Sequence, residues 1–221
     1  MQETTFYFIR HGQTDHNLRG IVQGRGVDPV LNETGRRQAE AVARRLADVS
    51  LDVIYASTLR RAVETAEVIA HEHADVPVHF LPDLEEMAWG VYEGKVLADG
   101  VQQALDRVYE QWKDGAYAFR IEGGESILDV QQRGIRVMCR LQEQHPGGTV
   151  LVVTHGRFLR VLLSTLLDEY GLERMHDIEH TNTGVNVLTG SNGCFEARLL
   201  NCTTHLDASV LPEVNKGVPL R

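Results

Sequence analysis

The sequence predicts an α/β fold with a largely parallel sheet, and three observations carry that expectation. Apolar runs with a β-branched or aromatic bias recur near positions 6–9, 51–56 and 150–153. Most are followed by a segment whose apolar residues fall at helical spacing. Gly, Ser or Pro stands at the junctions, so strands and helices alternate, which is the pattern of a parallel sheet. A chain of 221 residues supports one large domain with a sizeable core. No repeat, low-complexity tract or linker interrupts it, so a single domain over 1–221 is expected.

The first strand is Phe6-Tyr7-Phe8-Ile9, which runs straight into Arg10-His11-Gly12. A continuous apolar run suits a strand covered on both faces, and Gly12 ends it. Arg10 and His11 then lie at the strand's carboxyl end, where open α/β sheets bind their ligands. A polar loop from Asp15 to Asn32 follows, long enough to suggest function or mobility, with Asn17, Gln23 and Arg25 as hydrogen-bond donors. Thr34-Gly35 opens a helix that turns Ala39, Val42, Ala43 and Leu46 to one face. Leu51 to Ala56 is the second strand. Ser57 is the N-cap candidate of the next helix, which carries Leu59, Ala62, Val63, Ala66 and Ile69 inward. That helix N-terminus adds backbone donors and a dipole that suit an anion.

Val76 to Leu81 reads as the third strand, broken by Pro82 and followed by an acidic turn from Asp83 to Gly94. Leu97 to Lys113 is an amphipathic helix, and Ser126 caps another that stops at Pro146-Gly147-Gly148. Helices over about 95–145, with no strand between them, are expected to form a lobe over the site. Val150 to Val153 is a strand ending in Thr154-His155-Gly156, and Arg157 to Leu167 the next helix. Ser191-Asn192-Gly193 between two extended runs signals a hairpin, which can add an antiparallel edge. The tail from His205 is expected to be loosely held.

The formal net charge of −9 argues against non-specific nucleic-acid binding and against docking on anionic membranes. A local cluster of Arg and His can still bind a small phosphorylated substrate. Cys139, Cys194 and Cys202 are odd in number and match neither a disulfide framework nor a zinc spacing. Reduced thiols and a cytoplasmic setting are expected. The first strand starts too early to leave room for a signal peptide, and no apolar run approaches a membrane span. Whether the chain is a monomer or a homodimer stays open.

In a parallel sheet the ends at Arg10-His11-Gly12, Ser57 to Arg60 and Thr154-His155-Gly156 share one edge. The turn around Glu86 also follows a strand. One crevice could hold two Arg, two His and a Glu, which suits phosphoryl transfer, where the protein mainly positions the group and balances its charge. Arg10 and Arg60 can grip phosphoryl oxygens bidentately. Neutral His11 can attack phosphorus in line to give a phosphohistidine, and a protonated His155 would add charge and a donor. Glu86, with a raised pKa, can protonate the leaving alkoxide and then take a proton from water. No metal or other cofactor is expected, because Arg and His supply the charge. Singly, each piece has an ordinary reading: a satisfied structural His, a surface Arg, a solvated acidic pair. His71 and His73 with His79, or His176 with His180, could be taken for metal ligands, but no Cys or carboxylate completes them.

These residues resemble the histidine phosphatase superfamily, the phosphoglycerate mutase-like fold. Arg10-His11-Gly12 with Thr14 and Asn17 matches its signature. A Ser-x-Leu-x-Arg-Ala-x-x-Thr-Ala pattern aligns on Ser57, Leu59, Arg61, Ala62, Thr65 and Ala66. Leu84-x-Glu86-x-x-x-Gly90-x-x-Glu93-Gly94, Gly124-Glu125-Ser126 and Thr154-His155-Gly156 match its further segments. The resemblance spans roughly 5 to 206 and implies a three-layer α/β/α fold. It implies His11 as nucleophile, Glu86 as proton donor, and Arg10, Asn17 and His155 as phosphoryl ligands. The phosphate-binding Arg expected three residues after the Ser falls on Arg60, with Arg61 as the second candidate. Gln23 and Gly24 are expected near the substrate, with Thr14 and Gly156 as further binding positions. The family holds phosphatases and bisphosphoglycerate-dependent mutases. Met87-Ala88-Trp89-Gly90 stands where the mutases show a basic stretch, which favours a metal-independent phosphomonoester phosphatase over a phosphoglycerate mutase, and either over an inactive phospho-ligand-binding module. Trp89 and Tyr92 could shape an apolar entrance.

Overall fold

The computed structural model describes residues 2–207. Six strands form one sheet in the order β3-β2-β4-β1-β5-β6. They are β1 (Thr4–Arg10), β2 (Val53–Ala56), β3 (Val78–Phe80), β4 (Thr149–Thr154), β5 (Val185–Ser191) and β6 (Cys194–Cys202). The first four run parallel, β5 is antiparallel to β1, and β6 is antiparallel to β5. The expected parallel sheet with an antiparallel hairpin at one edge is what the chain builds. Of the tail expected to be loosely held, everything from 208 onward lies outside the described residues.

Strand alternation sorts the apolar side chains into two cores. Phe6 and Phe8 of β1, with Val150 and Val152 of β4, face α5 (Ile127–Gln144) and α6 (Gly156–Leu166). The same core holds Leu105, Val108 and Trp112 of α4 (Asp99–Lys113). Ile9 of β1 and Leu151 and Val153 of β4 face the other way, against α2 (Glu33–Leu46) and α3 (Arg60–His71). Helices thus cover both faces, giving three layers, which is why the central strands read as unbroken apolar runs.

Register brings the site residues together. Arg10 pairs with Thr154 across β1 and β4, and Ala56 pairs with Val153 across β2 and β4. Arg-His-Gly, Ser57 and Thr-His-Gly therefore leave the sheet side by side. Two glycines let the next segment return close over the end of β1. A Cβ on Gly12 would lie 2.4 Å from the Gly35 carbonyl oxygen, and one on Gly35 would lie 2.0 Å from that of Gln13. The loop after β1 also contains a short helix, α1 (Asp15–Leu18), started by a capping box in which Thr14 and Asn17 bond each other's backbone N–H. α2 is capped by Asn32 rather than begun at Thr34-Gly35. Among the described residues no helix is long and apolar enough to cross a membrane.

Candidate active site

A cleft opens at the carboxyl ends of β1, β2 and β4, and its wall includes Arg10, His11, Asn17, Arg61 and Glu86. The loop after β1 contributes Gln23 to that wall, and α4 contributes Leu105 and Tyr109.

His11 is 3% exposed, and its Nδ1 lies 2.7 Å from the carbonyl oxygen of Gly12. A carbonyl only accepts, so Nδ1 carries the proton and donates, and Nε2 keeps its lone pair. Burial, then the charges of Arg61 and Arg10, holds this imidazole well below its usual 6.5. It is neutral at neutral pH, with a free nitrogen in a cationic setting. The His11 carbonyl is fixed in turn by the Asn182 amide at 2.8 Å.

His155 lies behind His11, ring centroids 5.1 Å apart. The Arg61 Nε donates to its Nδ1 at 3.2 Å, so the ring proton sits on Nε2 and is given to Ser57 Oγ at 2.7 Å. Burial and the neighbouring Arg61 charge keep His155 well below 6.5 as well. The expectation of a protonated His155 that adds positive charge is therefore corrected: the ring is neutral and both its nitrogens are used. Ser57, expected as a helix cap, anchors this ring instead, and Leu59 holds the N-cap position of α3.

Arg60 and Arg61 exchange places relative to expectation. Arg60 is exposed and does not border the cleft, and its backbone N–H donates to Asp28 Oδ1 at 2.7 Å. That contact fills the α3 N-terminus expected to receive a substrate anion. Arg61, fully buried, spans the site: besides His155 it donates to the carbonyls of Val27 at 3.1 Å and Gly24 at 3.2 Å. The physical reason is helical phase, since Arg61 shares the inward face of α3 with Ala62, Thr65, Ala66 and Ile69. Arg10 donates from Nη1 to the His180 carbonyl at 2.7 Å, while its buried Nε makes no hydrogen bond. Burial pulls Arg10 down to about 10, still charged at neutral pH. A buried cationic N–H without a partner beside a neutral imidazole is a place prepared for an anion.

Glu86 is held by main-chain donors. It accepts the N–H of Met87 at 2.8 Å, of Arg157 at 3.1 Å and of Phe158 at 2.9 Å, the last two at the N-terminus of α6. Arg133 of α5, missed in the sequence, locks the turn that carries it. Its guanidinium donates to the carbonyls of Asp83 at 2.9 Å, Glu85 at 2.6 Å and Glu86 at 3.1 Å, and pairs with Glu125 at 3.0 Å. Glu85 is likewise not simply solvated: it pairs with Arg25 at 2.7 Å and accepts from the Thr58 hydroxyl.

Of the expected binding positions, Asn17, Gln23 and Gly156 border the cleft. Thr14 and Gly24 do not: both are buried behind the wall. Thr14 bonds Asn17 and Gln23, and Gly24 gives its carbonyl to Arg61. Gly156 has a steric reason, because a Cβ there would come within 3.1 Å of His180 Nδ1 and 3.3 Å of Arg10 Nε. Trp89 borders the cleft and Tyr92 does not. α4 leans over the opening, whereas α5 contributes nothing to the cleft wall. Among the described residues no group of three His, Cys, Asp or Glu side chains could hold a metal ion.

A six-stranded sheet of this order with helices on both faces, carrying an Arg-His pair, a second buried Arg and a backbone-held Glu at its carboxyl edge, is a three-layer α/β/α architecture. The chain belongs to the histidine phosphatase superfamily (branch 1), whose family pattern matches residues 6–203. It is 34% identical over 161 residues to a metal-independent phosphoserine phosphatase of Arabidopsis thaliana, covering 72% of this chain and 67% of that one. It is also 34% identical over 165 residues to a probable phosphoglycerate mutase of Erwinia tasmaniensis, covering 73% and 74%. Its fold matches the crystal structure of a phosphoserine phosphatase from Entamoeba histolytica in complex with 3-phosphoglyceric acid, with a TM-score of 0.79, 28% identity, and 91% and 98% of the two chains covered.

Proposed function

We propose that this chain is a phosphomonoester phosphatase that works through a phosphohistidine on His11 and needs no metal ion. The observation that carries the reading is the neutral His11, its Nδ1 proton given to Gly12 and its Nε2 free, in a cleft with Arg10 and Arg61. In the first step Nε2 bonds to phosphorus as the ester P–O bond breaks, and Glu86 in its acid form gives its proton to the leaving oxygen. In the second, water oxygen bonds to phosphorus as the N–P bond breaks, and the Glu86 carboxylate takes the water proton. Arg10, Arg61 and the Asn17 amide stabilise the equatorial oxygens in both steps. Each well-placed donor of this kind is worth about 10²- to 10³-fold in rate, and the proton transfer about 10²- to 10⁴-fold.

Hydrolysis is preferred over mutase chemistry because the segment over the opening brings Trp89, Leu97, Leu105 and Tyr109 to the cleft wall and no Lys or Arg, which leaves Arg157 of α6 as the single Lys or Arg on that side among the described residues. A mutase must retain a doubly phosphorylated intermediate and needs more positive charge there. Phosphate release from a panel of phosphomonoesters in excess EDTA, with His11→Ala in parallel, tests the reading. Release that persists in EDTA and disappears in the variant supports it. Conversion of 3- to 2-phosphoglycerate after priming with the bisphosphate, without net release, would make the chain a mutase. Silence in both assays would leave a binding module.

A further inference from the structure

The cleft has a second cationic end. Arg157, the second residue of α6, is only 7% exposed yet borders the same cleft as His11 and Glu86. Its Nη1 is buried without a hydrogen-bond partner, and among the described residues no carboxylate pairs with it. The guanidinium lies instead against three aromatic rings: 4.9 Å from the Tyr109 centroid, 5.4 Å from that of Trp89 and 5.9 Å from that of Trp112. Ring faces attract the cation and fix its plane, but they do not accept its in-plane N–H bonds. A buried cation is ordinarily paired. The charge of Arg157 is felt around it: after burial itself, it is the main cause that lowers Arg160 to about 9 and His176 to about 4.

We propose that Arg157 is a second anion subsite, and that it selects phosphomonoesters bearing a carboxylate on a short carbon chain. The subsite rests on the phosphatase reading above and deepens it. The backbone N–H of Arg157 holds Glu86 Oε2, so α6 fixes the proton donor and the distal cation on one rigid frame. A substrate gripped by Arg10 and Arg61 at its phosphoryl end and by Arg157 at its carboxylate presents its ester oxygen beside Glu86. A planar guanidinium offers paired N–H donors that match a planar carboxylate. The apolar remainder of that wall, Leu97, Leu105 and Trp89, suits one single charge on a small body better than a second phosphate. The energy of the distal contact would orient the ester for attack as well as hold it.

The test compares two esters that differ only in the carboxylate, O-phospho-L-serine and O-phosphoethanolamine, on the parent and on Arg157→Met. The parent is expected to favour phosphoserine in kcat/KM by about 10- to 100-fold, the usual worth of a charge-assisted pair. In Arg157→Met that ratio is expected to collapse toward one, whatever happens to the two absolute rates. Arg157→Lys, which keeps the charge but loses the fork, should fall between. A parent with no preference overturns the subsite, as does an Arg157→Met that loses rate on both esters with its ratio intact, the signature of a purely structural clamp on Trp89. If neither ester nor any other is hydrolysed, the phosphatase reading fails separately. Calorimetric binding of 3-phosphoglycerate and glycerol 3-phosphate to parent and Arg157→Met then decides the subsite by the same ratio.

Discussion

Replacing Arg61 with alanine is expected to lower kcat/KM for p-nitrophenyl phosphate by about 10²- to 10³-fold, the range for removing one preorganised donor at a developing charge. The same change at Arg60 is expected to cost less than about threefold, because an exposed side chain away from the cleft contributes little beyond long-range charge. Stability should separate the pair too. Arg61→Ala leaves three acceptors without their donor: the buried Gly24 carbonyl and Nδ1 of His155, and the half-buried Val27 carbonyl. Each such orphan costs about 1–3 kcal/mol. Burial disfavours the Arg61 charge itself, so removing it returns part of that loss. A net destabilisation of about 2–4 kcal/mol remains, or a Tm lower by roughly 5–15 °C for a chain of this size. Arg61→Lys keeps a charge but cannot reach three acceptors at once, and should recover stability only in part. Steady-state kinetics and circular-dichroism melts on Arg60→Ala, Arg61→Ala and Arg61→Lys check this. Equal loss of activity at the two positions, or an Arg61→Ala within threefold of the parent, would refute the placement of the phosphoryl site.

Three further outcomes follow from other parts of the site. His11, His155 and His180 all sit well below 6.5, chiefly through burial, so the unfolded chain binds more protons than the folded one below that value. Their contribution to stability is complete above about pH 6.5 and is lost as the pH falls; Tm measured between pH 7.5 and 5 should drop, while kcat/KM shows no loss centred at 6.5 from His11. Glu86→Gln and Arg133→Ala should slow esters with alkoxide leaving groups by about 10²-fold or more but p-nitrophenyl phosphate far less, because nitrophenolate leaves without a proton; equal slowing of both would remove Glu86 from the proton-donor role. Gly35→Ala puts a methyl 2.0 Å from the Gln13 carbonyl oxygen and should cost at least about 2 kcal/mol in urea melts, since backbone must move to admit it.

What the sequence disclosed depended on whether a residue's place follows from the end of a strand or from the phase of a helix. Arg10, His11 and His155 each follow an apolar run within two residues, so finding the strands located them. Helical phase is less forgiving: one residue is a turn of about 100°. Treating Ser57 as the cap left the start of α3 unresolved, and counting three from Ser57 chose Arg60. The apolar stripe held the answer, because Ala62, Ala66 and Ile69 face inward and Thr65 with them, and Arg61 lies on that stripe while Arg60 does not. Arg133 was legible by the same rule, three residues after Val130 and four before Val137, both buried. A buried stripe of an amphipathic helix that includes an arginine marks a guanidinium with inward partners, here the carbonyls that shape the loops at Gly24 and Glu86.

Arg157 follows neither rule. Nearly all of α6 is buried, because the sheet and neighbouring helices cover some of its sides and the cleft takes another. Read as an amphipathic helix, it assigns Arg157 and Arg160 to a wet face that the fold does not have. The return of Trp89 and Tyr109 from segments far away in sequence, with Trp112 beside them, makes that face part of the wall of a pocket. The proposed nucleophile and its neighbour Arg10 are thus local to a strand end, whereas the residue proposed to choose the substrate is defined by what two other segments stack against it. The same division accords with a family pattern that extends over residues 6–203 and names no substrate: in the reading proposed above, the strand ends carry the reaction and the cover above them the choice.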